Sequence, residues 1–153
     1  MPVLIRDGGL DDPRVIALLQ QHVSRARAET APGSAHALDL HELQSPTVRF
    51  FSAWDGPTLV GVAALKRLDG RHGEVKSMFT AERARRRGVG NTLLAHLLAT
   101  ARSDGLARLS LETGSWPYFE PARAFYRRHG FRDCPPFAGY RPDPNSVFMT
   151  LEL

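Results

Sequence analysis

Six consecutive residues, Arg85-Arg86-Arg87-Gly88-Val89-Gly90, carry the chain's clearest potential for binding chemistry. Upstream lies a strand-like run, Glu74-Val75-Lys76-Ser77-Met78-Phe79, itself preceded by the turn signal Asp69-Gly70-Arg71. Downstream, Val89, Leu93, Leu94, Leu97, Leu98 and Ala101 recur at helical spacing, and Gly105 supplies a stop. A loop that enters a helix presents N–H groups with no partner inside the helix, and the helix dipole adds positive potential. Gly88 and Gly90 let a bulky phosphate approach the main chain without a Cβ in the way. The three arginines add charge and forked donors suited to phosphate oxygens. The spacing predicts a diphosphate-bearing ligand.

The same residues carry a family resemblance. Arg85-x-x-Gly88-x-Gly90, in its strand–loop–helix setting, resembles the Q/R-x-x-G-x-G/A acetyl-CoA signature of the GNAT superfamily of N-acetyltransferases. Downstream, Leu109-Ser110-Leu111-Glu112 and then the run from Ala122 to Phe131 resemble that family's penultimate strand and its A-x-x-[FL]-Y-x-x-x-G-F helix. Leu111 to Ser115, together with Asp143 to Met149, resembles a bacterial subgroup of small members whose acceptors are mostly unassigned. The resemblance covers essentially the whole chain, and residues 74–131 are its specific part.

The resemblance implies an acetyl-CoA-dependent N-acetyltransferase, with acetyl-CoA as acyl-donor cosubstrate. Its acceptor would be a primary amine of a small molecule or protein, attacking the thioester directly. The loop opens at Arg85, and the diphosphate would rest on the backbone N–H groups of Arg86, Arg87, Gly88, Val89, Gly90 and Asn91. The pantetheine arm would lie along the main chain of Met78, Phe79 and Thr80, bonding like an added strand. The implied fold is α/β (α+β), a mixed and mostly antiparallel sheet with helices on both faces.

That reaction needs a base for the amine, an acid for the departing thiolate and a donor for the oxyanion. By resemblance, Tyr126 occupies the general-acid position; as a structural residue it would pack with Phe125 and Phe131. Glu112 occupies a general-base position; as a structural residue it would be held by Arg108 or by a helix terminus. Glu74 is a second base candidate, and a water chain is a third route. A glutamate base at neutral pH needs its pKa raised by burial or neighbouring charge. Where many relatives carry a cofactor-binding asparagine this chain has Phe119, with Ser115 or backbone groups as substitutes. The acceptor site is expected from the His36–Glu42 loop, the 113–120 segment and the Tyr140–Asn145 loop. Asp39, Glu42, Glu120 and Asp143 suit a cationic amine, and Trp116, Tyr118 and Tyr140 suit an apolar one.

The elements that position these residues are legible as an alternation. Pro2 to Arg6 reads as a strand, and Asp12 with Pro13 starts a helix running to about Arg27. Leu38, Leu40 and Leu43 suggest a short second helix. Thr47 to Trp54, Leu59 to Lys66 and Gly73 to Thr80 read as an antiparallel meander. After the loop helix come a strand at Ala107 to Leu111, a helix at about Ala122 to His129, a short strand from Phe131 and a closing strand at Ser146 to Leu153. A single domain over residues 1–153 fits the length and the 42% hydrophobic content.

A cytoplasmic protein is expected. Met1 to Asp7 has no signal-peptide character, no run is long enough to span a membrane, and the lone Cys134 excludes an internal disulfide. The six histidines show no ligand spacing with carboxylates, so no catalytic metal is expected, and His22 and His96 read as structural. The net charge of +4 comes with 18 Arg against 2 Lys. Its one dense run, Arg83 to Arg87, is already used by the phosphate loop, which disfavours nucleic acid as a partner. A homodimer is compatible with the sequence. The competing reading is a non-catalytic CoA-binding or nucleic-acid-binding module on the same fold.

Overall fold

Side-chain alternation along Val48–Asp55 (β2) decides how the molecule is layered, because successive strand residues point to opposite faces. Phe51 meets the His96 ring edge-on at 4.6 Å on one face. Trp54 lies beneath the Arg14 guanidinium at 4.6 Å on the other. His96 belongs to helix α3 (Val89–Ser103) and Arg14 to helix α1 (Pro13–Ala28), so helices cover both faces, as expected. The computed structural model describes residues 2–36 and 38–153. Met1, and Ala37 within the predicted acceptor loop, lie outside the described residues.

Among the described residues one sheet has the order β1-β2-β3-β4-β5-β7-β6. Its other strands are β1 (Leu4–Asp7), β3 (Thr58–Arg67), β4 (His72–Thr80), β5 (Arg108–Gly114), β6 (Arg132–Asp133) and β7 (Ser146–Glu152). Only β4 and β5 run parallel, joined through α3; the other pairs are antiparallel. The predicted start of α1 holds, with Asp12 Oδ1 accepting the Arg14 N–H at 2.8 Å and Pro13 in the first turn. Helix α2 (Leu40–Leu43) is capped by Asp39, whose Oδ1 accepts the Glu42 N–H at 3.0 Å.

Some boundaries differ from the sequence reading. Strand β1 starts at Leu4 rather than Pro2 and reaches Asp7, which pairs with Phe51. Strand β5 passes its expected end at Leu111, because Thr113 and Gly114 continue the ladder opposite Val147 and Ser146. Helix α4 (Glu120–Arg128) begins before Ala122, since Pro121 suits a first helical turn. A 3-10 turn at Pro117–Phe119 leads into it. No helix among the described residues is long and apolar enough to cross a membrane.

Close packing of α3 on the sheet fixes where its N-terminus points. A Cβ at Gly61 of β3 would sit 2.9 Å from Leu93 and 3.0 Å from Val89, so only glycine lets the helix lie this near. Leu93, Leu94 and Leu97 of α3 are fully buried there, with Leu109 of β5 and Met149 of β7 also in the core.

Two irregularities in β4 open the space above that N-terminus. Ala64 faces Lys76 while Val62 faces Phe79, so β4 carries one extra residue, a β-bulge. Ser77, within it, has φ +53°. On its other edge β4 pairs with β5 only through His72, Gly73 and Glu74. Beyond Glu74 and Ser110 the two strands diverge, leaving one edge of β4 without a partner strand among the described residues.

Candidate active site

The predicted phosphate loop forms a nest of donors at the positive end of α3. Gly88 is the N-cap, in the left-handed region at φ +79°, and Arg86 is left-handed too at φ +65°. The N–H groups of Arg86 to Asn91 find no acceptor among the described residues, and Thr92 is the first to bond back, to the Gly88 carbonyl at 3.0 Å. Such a run of free donors at a helix N-terminus favours an anion. Arg85, Arg86 and Arg87 are exposed around it. Arg85 lies over the Phe79 ring at 5.7 Å, and the Asn91 side chain is tied to His129 Nε2 at 2.9 Å.

This loop forms one wall of a cleft of about 1150 Å³ that follows the β4–β5 divergence. Met78, Phe79, Thr80, Arg85, Arg86, Gly88, Val89, Gly90, Asn91, Glu112 and Tyr126 all line it; of the expected cofactor residues, Arg87 does not. Tyr126 of α4 packs edge-on between Phe125 at 5.4 Å and Phe131 at 5.5 Å. Its position is therefore both a packing site and a cleft wall. Burial pushes its phenol pKa well above the ordinary value, so the hydroxyl keeps its proton throughout the neutral range.

Among the carboxylates that line the cleft, Glu74 and Glu112 differ in character. Glu74 is 3% exposed. Its Oε2 accepts the Tyr140 hydroxyl at 2.5 Å and lies 3.9 Å from Lys76 Nζ. Burial raises the Glu74 pKa above the usual carboxylate range, against the opposing pull of Lys76 and the Tyr140 hydrogen bond. Glu112 has both oxygens engaged, Oε1 with His36 Nε2 at 2.9 Å and Oε2 with the Ser146 hydroxyl at 2.8 Å. The expected holder, Arg108, pairs instead with Glu152 at 3.6 Å. Four residues along a strand span about 13 Å, beyond the reach of an arginine.

Of the acceptor-side candidates, Asp39 and Glu42 line the cleft, but each is also engaged within the fold. Glu42 is held by Lys76 at 2.8 Å, which lowers its pKa, and Asp39 is committed to capping α2. Asp143 accepts the Asn145 N–H at 2.8 Å, and Glu120 does not line the cleft. Tyr118 and Tyr140 do line it, whereas Trp116 is exposed, with Nε1 donating to Asn145 Oδ1 at 2.9 Å. Ser115 donates to the Pro144 carbonyl at 2.7 Å and does not line the cleft. Phe119 packs against Gly114, where any Cβ would collide with its ring.

Sequence reasoning did not place His22 or Lys76 in the cleft. His22 stacks on Phe79 at 4.6 Å, and burial pushes its pKa down to about 4, leaving it neutral. Its place on the apolar stripe of α1 was visible, but not that this stripe borders the cleft. Lys76 gave no signal, and His36 was read only as one end of the expected acceptor loop, because their partners come from distant segments. Asn145 Nδ2 donates to Ser34 Oγ at 3.2 Å, joining the two loops that flank the acceptor end.

A model of the acetyltransferase (GNAT) family matches residues 16–131. The chain is 48% identical to the uncharacterized N-acetyltransferase YedL of Escherichia coli, over 97% of this chain and 94% of that protein. It is 39% identical to an IAA acetyltransferase of Azospirillum brasilense, over 98% of this chain and 97% of the other. A crystal structure from Klebsiella pneumoniae, provisionally named an acyl-CoA N-acyltransferase, is similar with a TM-score of 0.84. That pair is 32% identical, covering 99% of this chain and 97% of the other.

Proposed function

The chain belongs to the GNAT family of acetyltransferases, and on that premise we propose that it moves the acetyl group of acetyl-CoA to the primary amine of a small molecule. One observation carries the reading: an anion-binding helix N-terminus, an unpartnered strand edge and a buried carboxylate line the same cleft. The diphosphate rests on the N–H groups of Arg86 to Asn91, with Arg85 beside them. The pantetheine arm bonds along Met78, Phe79 and Thr80, which brings the thioester toward Glu74 and Tyr126.

The amine attacks the thioester carbonyl as Glu74 takes its proton. The new C–N bond forms, the C–S bond breaks, and the Tyr126 hydroxyl protonates the departing thiolate. Glu74 suits the base better than Glu112 for two reasons. Its burial raises its proton affinity toward neutrality, whereas both oxygens of Glu112 are occupied. Glu112 acts instead by holding His36 and Ser146 at the rim. A small acceptor is favoured over a protein segment because the Ser34–Asn145, His36–Glu112 and Tyr140–Glu74 contacts draw the flanking loops together. The Azospirillum relative is named for IAA, which makes that compound a test case to run beside the amines.

Glu112→Gln separates the two carboxylates. The amide keeps one acceptor for Ser146 and loses its charge toward His36, so turnover on a responsive amine should fall less than about tenfold, below the range for a general base. Thiol release from acetyl-CoA measures it. A loss of a hundredfold or more that eases at alkaline pH would return the base role to Glu112.

A further inference from the structure

Glu74 is surrounded by charged and polar groups that the transfer step itself leaves unused. Tyr140, on the connection between β6 and β7, donates to Oε2, and Lys76 Nζ lies 3.9 Å from the same oxygen. Lys76 also touches Glu42 Oε1 of α2 at 2.8 Å, and Lys66 Nζ of β3 is 3.8 Å from that atom. Lys66, Glu42, Lys76 and Glu74 thus form a line of alternating charge, all of it lining the cleft. On β5 the nearby polar groups are Ser110, in register with Glu74, and Glu112 beyond it. From the remaining loop, His36 packs on the Tyr140 ring at 5.8 Å.

We propose that Lys76 and Tyr140 are positioning residues that set how readily Glu74 takes the acceptor's proton, with Glu42 acting in the opposite sense. The proposal rests on reading Glu74 as the base. Removing a carboxylate from water penalises its ionised form, and a buried base that stays protonated can accept nothing. The Lys76 ammonium and the Tyr140 hydrogen bond both favour the ionised form. Glu42 repels that form and also engages Lys76 on its far side. Together these groups hold Glu74 between two useless extremes, always protonated and too weakly basic.

The test is a 13C NMR titration of the full chain carrying [δ-13C]glutamate, with the Glu74 signal assigned through Glu74→Gln. Lys76→Met and Tyr140→Phe should each move the Glu74 midpoint up by about one pH unit, the scale of a neighbouring charge or hydrogen bond. Glu42→Gln should move it down, and Lys76→Arg should stay near the wild type. The acid limb of kcat/KM should move in the same directions. A merely structural role predicts something else: loosening would admit water and bring every midpoint down. Midpoints that stay fixed or fall in Lys76→Met and Tyr140→Phe would overturn the proposal. Wild-type turnover in Glu74→Gln would instead overturn the reading beneath it, so the two failures are distinct.

Discussion

Gly88→Val is expected to fold and to bind acetyl-CoA roughly a thousandfold more weakly. At φ +79° the N-cap sits in the left-handed region, and none of the described residues comes within 4 Å of a Cβ placed there. The substitution therefore meets backbone strain rather than a packing clash. A β-branched residue is a true outlier in that region, at a cost of about 1–3 kcal/mol. Relieving the strain rotates the peptide units that aim the N–H groups of Arg86 to Asn91. Loss of two such bonds to a charged oxygen, at about 1.5–3 kcal/mol each, gives the stated factor. Asn, which tolerates this conformation, should keep much of the affinity. Calorimetric titration with acetyl-CoA checks both variants. Unchanged affinity for the valine variant would remove the diphosphate from this loop.

The second large effect concerns the acid–base pair. Tyr126→Phe and Glu74→Gln should each lower kcat by about a hundredfold or more, the usual scale of general acid–base catalysis. Acetyl-CoA affinity should stay near the wild-type value. The phenyl ring still packs against Phe125 and Phe131, so only the hydroxyl is lost. For Glu74→Gln the loss should shrink at alkaline pH, where free amine is abundant.

Stability provides an internal control for Glu74. Its folded-state pKa lies above its unfolded value, because burial penalises the charge. The folded state therefore holds the proton more tightly. Stability is fullest below the unfolded pKa and declines as pH rises through the folded one. Glu74→Gln removes that decline, so its Tm at pH 8 should match or exceed the wild type while turnover falls. A drop in Tm alongside the rate would point to a structural role.

What the sequence disclosed was local. The Asp12–Pro13 helix start, the meander and the Arg85 to Asn91 loop follow from neighbouring residues, and the folded chain retains each of them. The bulge at Ser77 was not legible, because an extra residue exists only relative to a partner strand. Strand β5 ran past its expected end at Leu111 because β7, more than thirty residues later, supplied partners for Thr113 and Gly114. The same distance hid the holders of Glu112 and the line from Lys66 to Glu74, which draws on α2, β3 and β4. Tyr140 could be named as a cleft aromatic, but its bond to Glu74 joins residues 66 positions apart.

The central claim is that bound acetyl-CoA gives up its acetyl group to an amine. The most direct measurement follows [14C]acetyl-CoA with a panel of small primary amines, IAA and a lysine-bearing peptide, scoring free thiol and labelled product together. The account predicts stoichiometric thiol and N-acetyl product with at least one small amine, little with the peptide, and none from Tyr126→Phe beyond about one hundredth of the wild-type rate. Saturable acetyl-CoA binding with no transfer to any acceptor would contradict it and leave a CoA-binding module on an acetyltransferase fold.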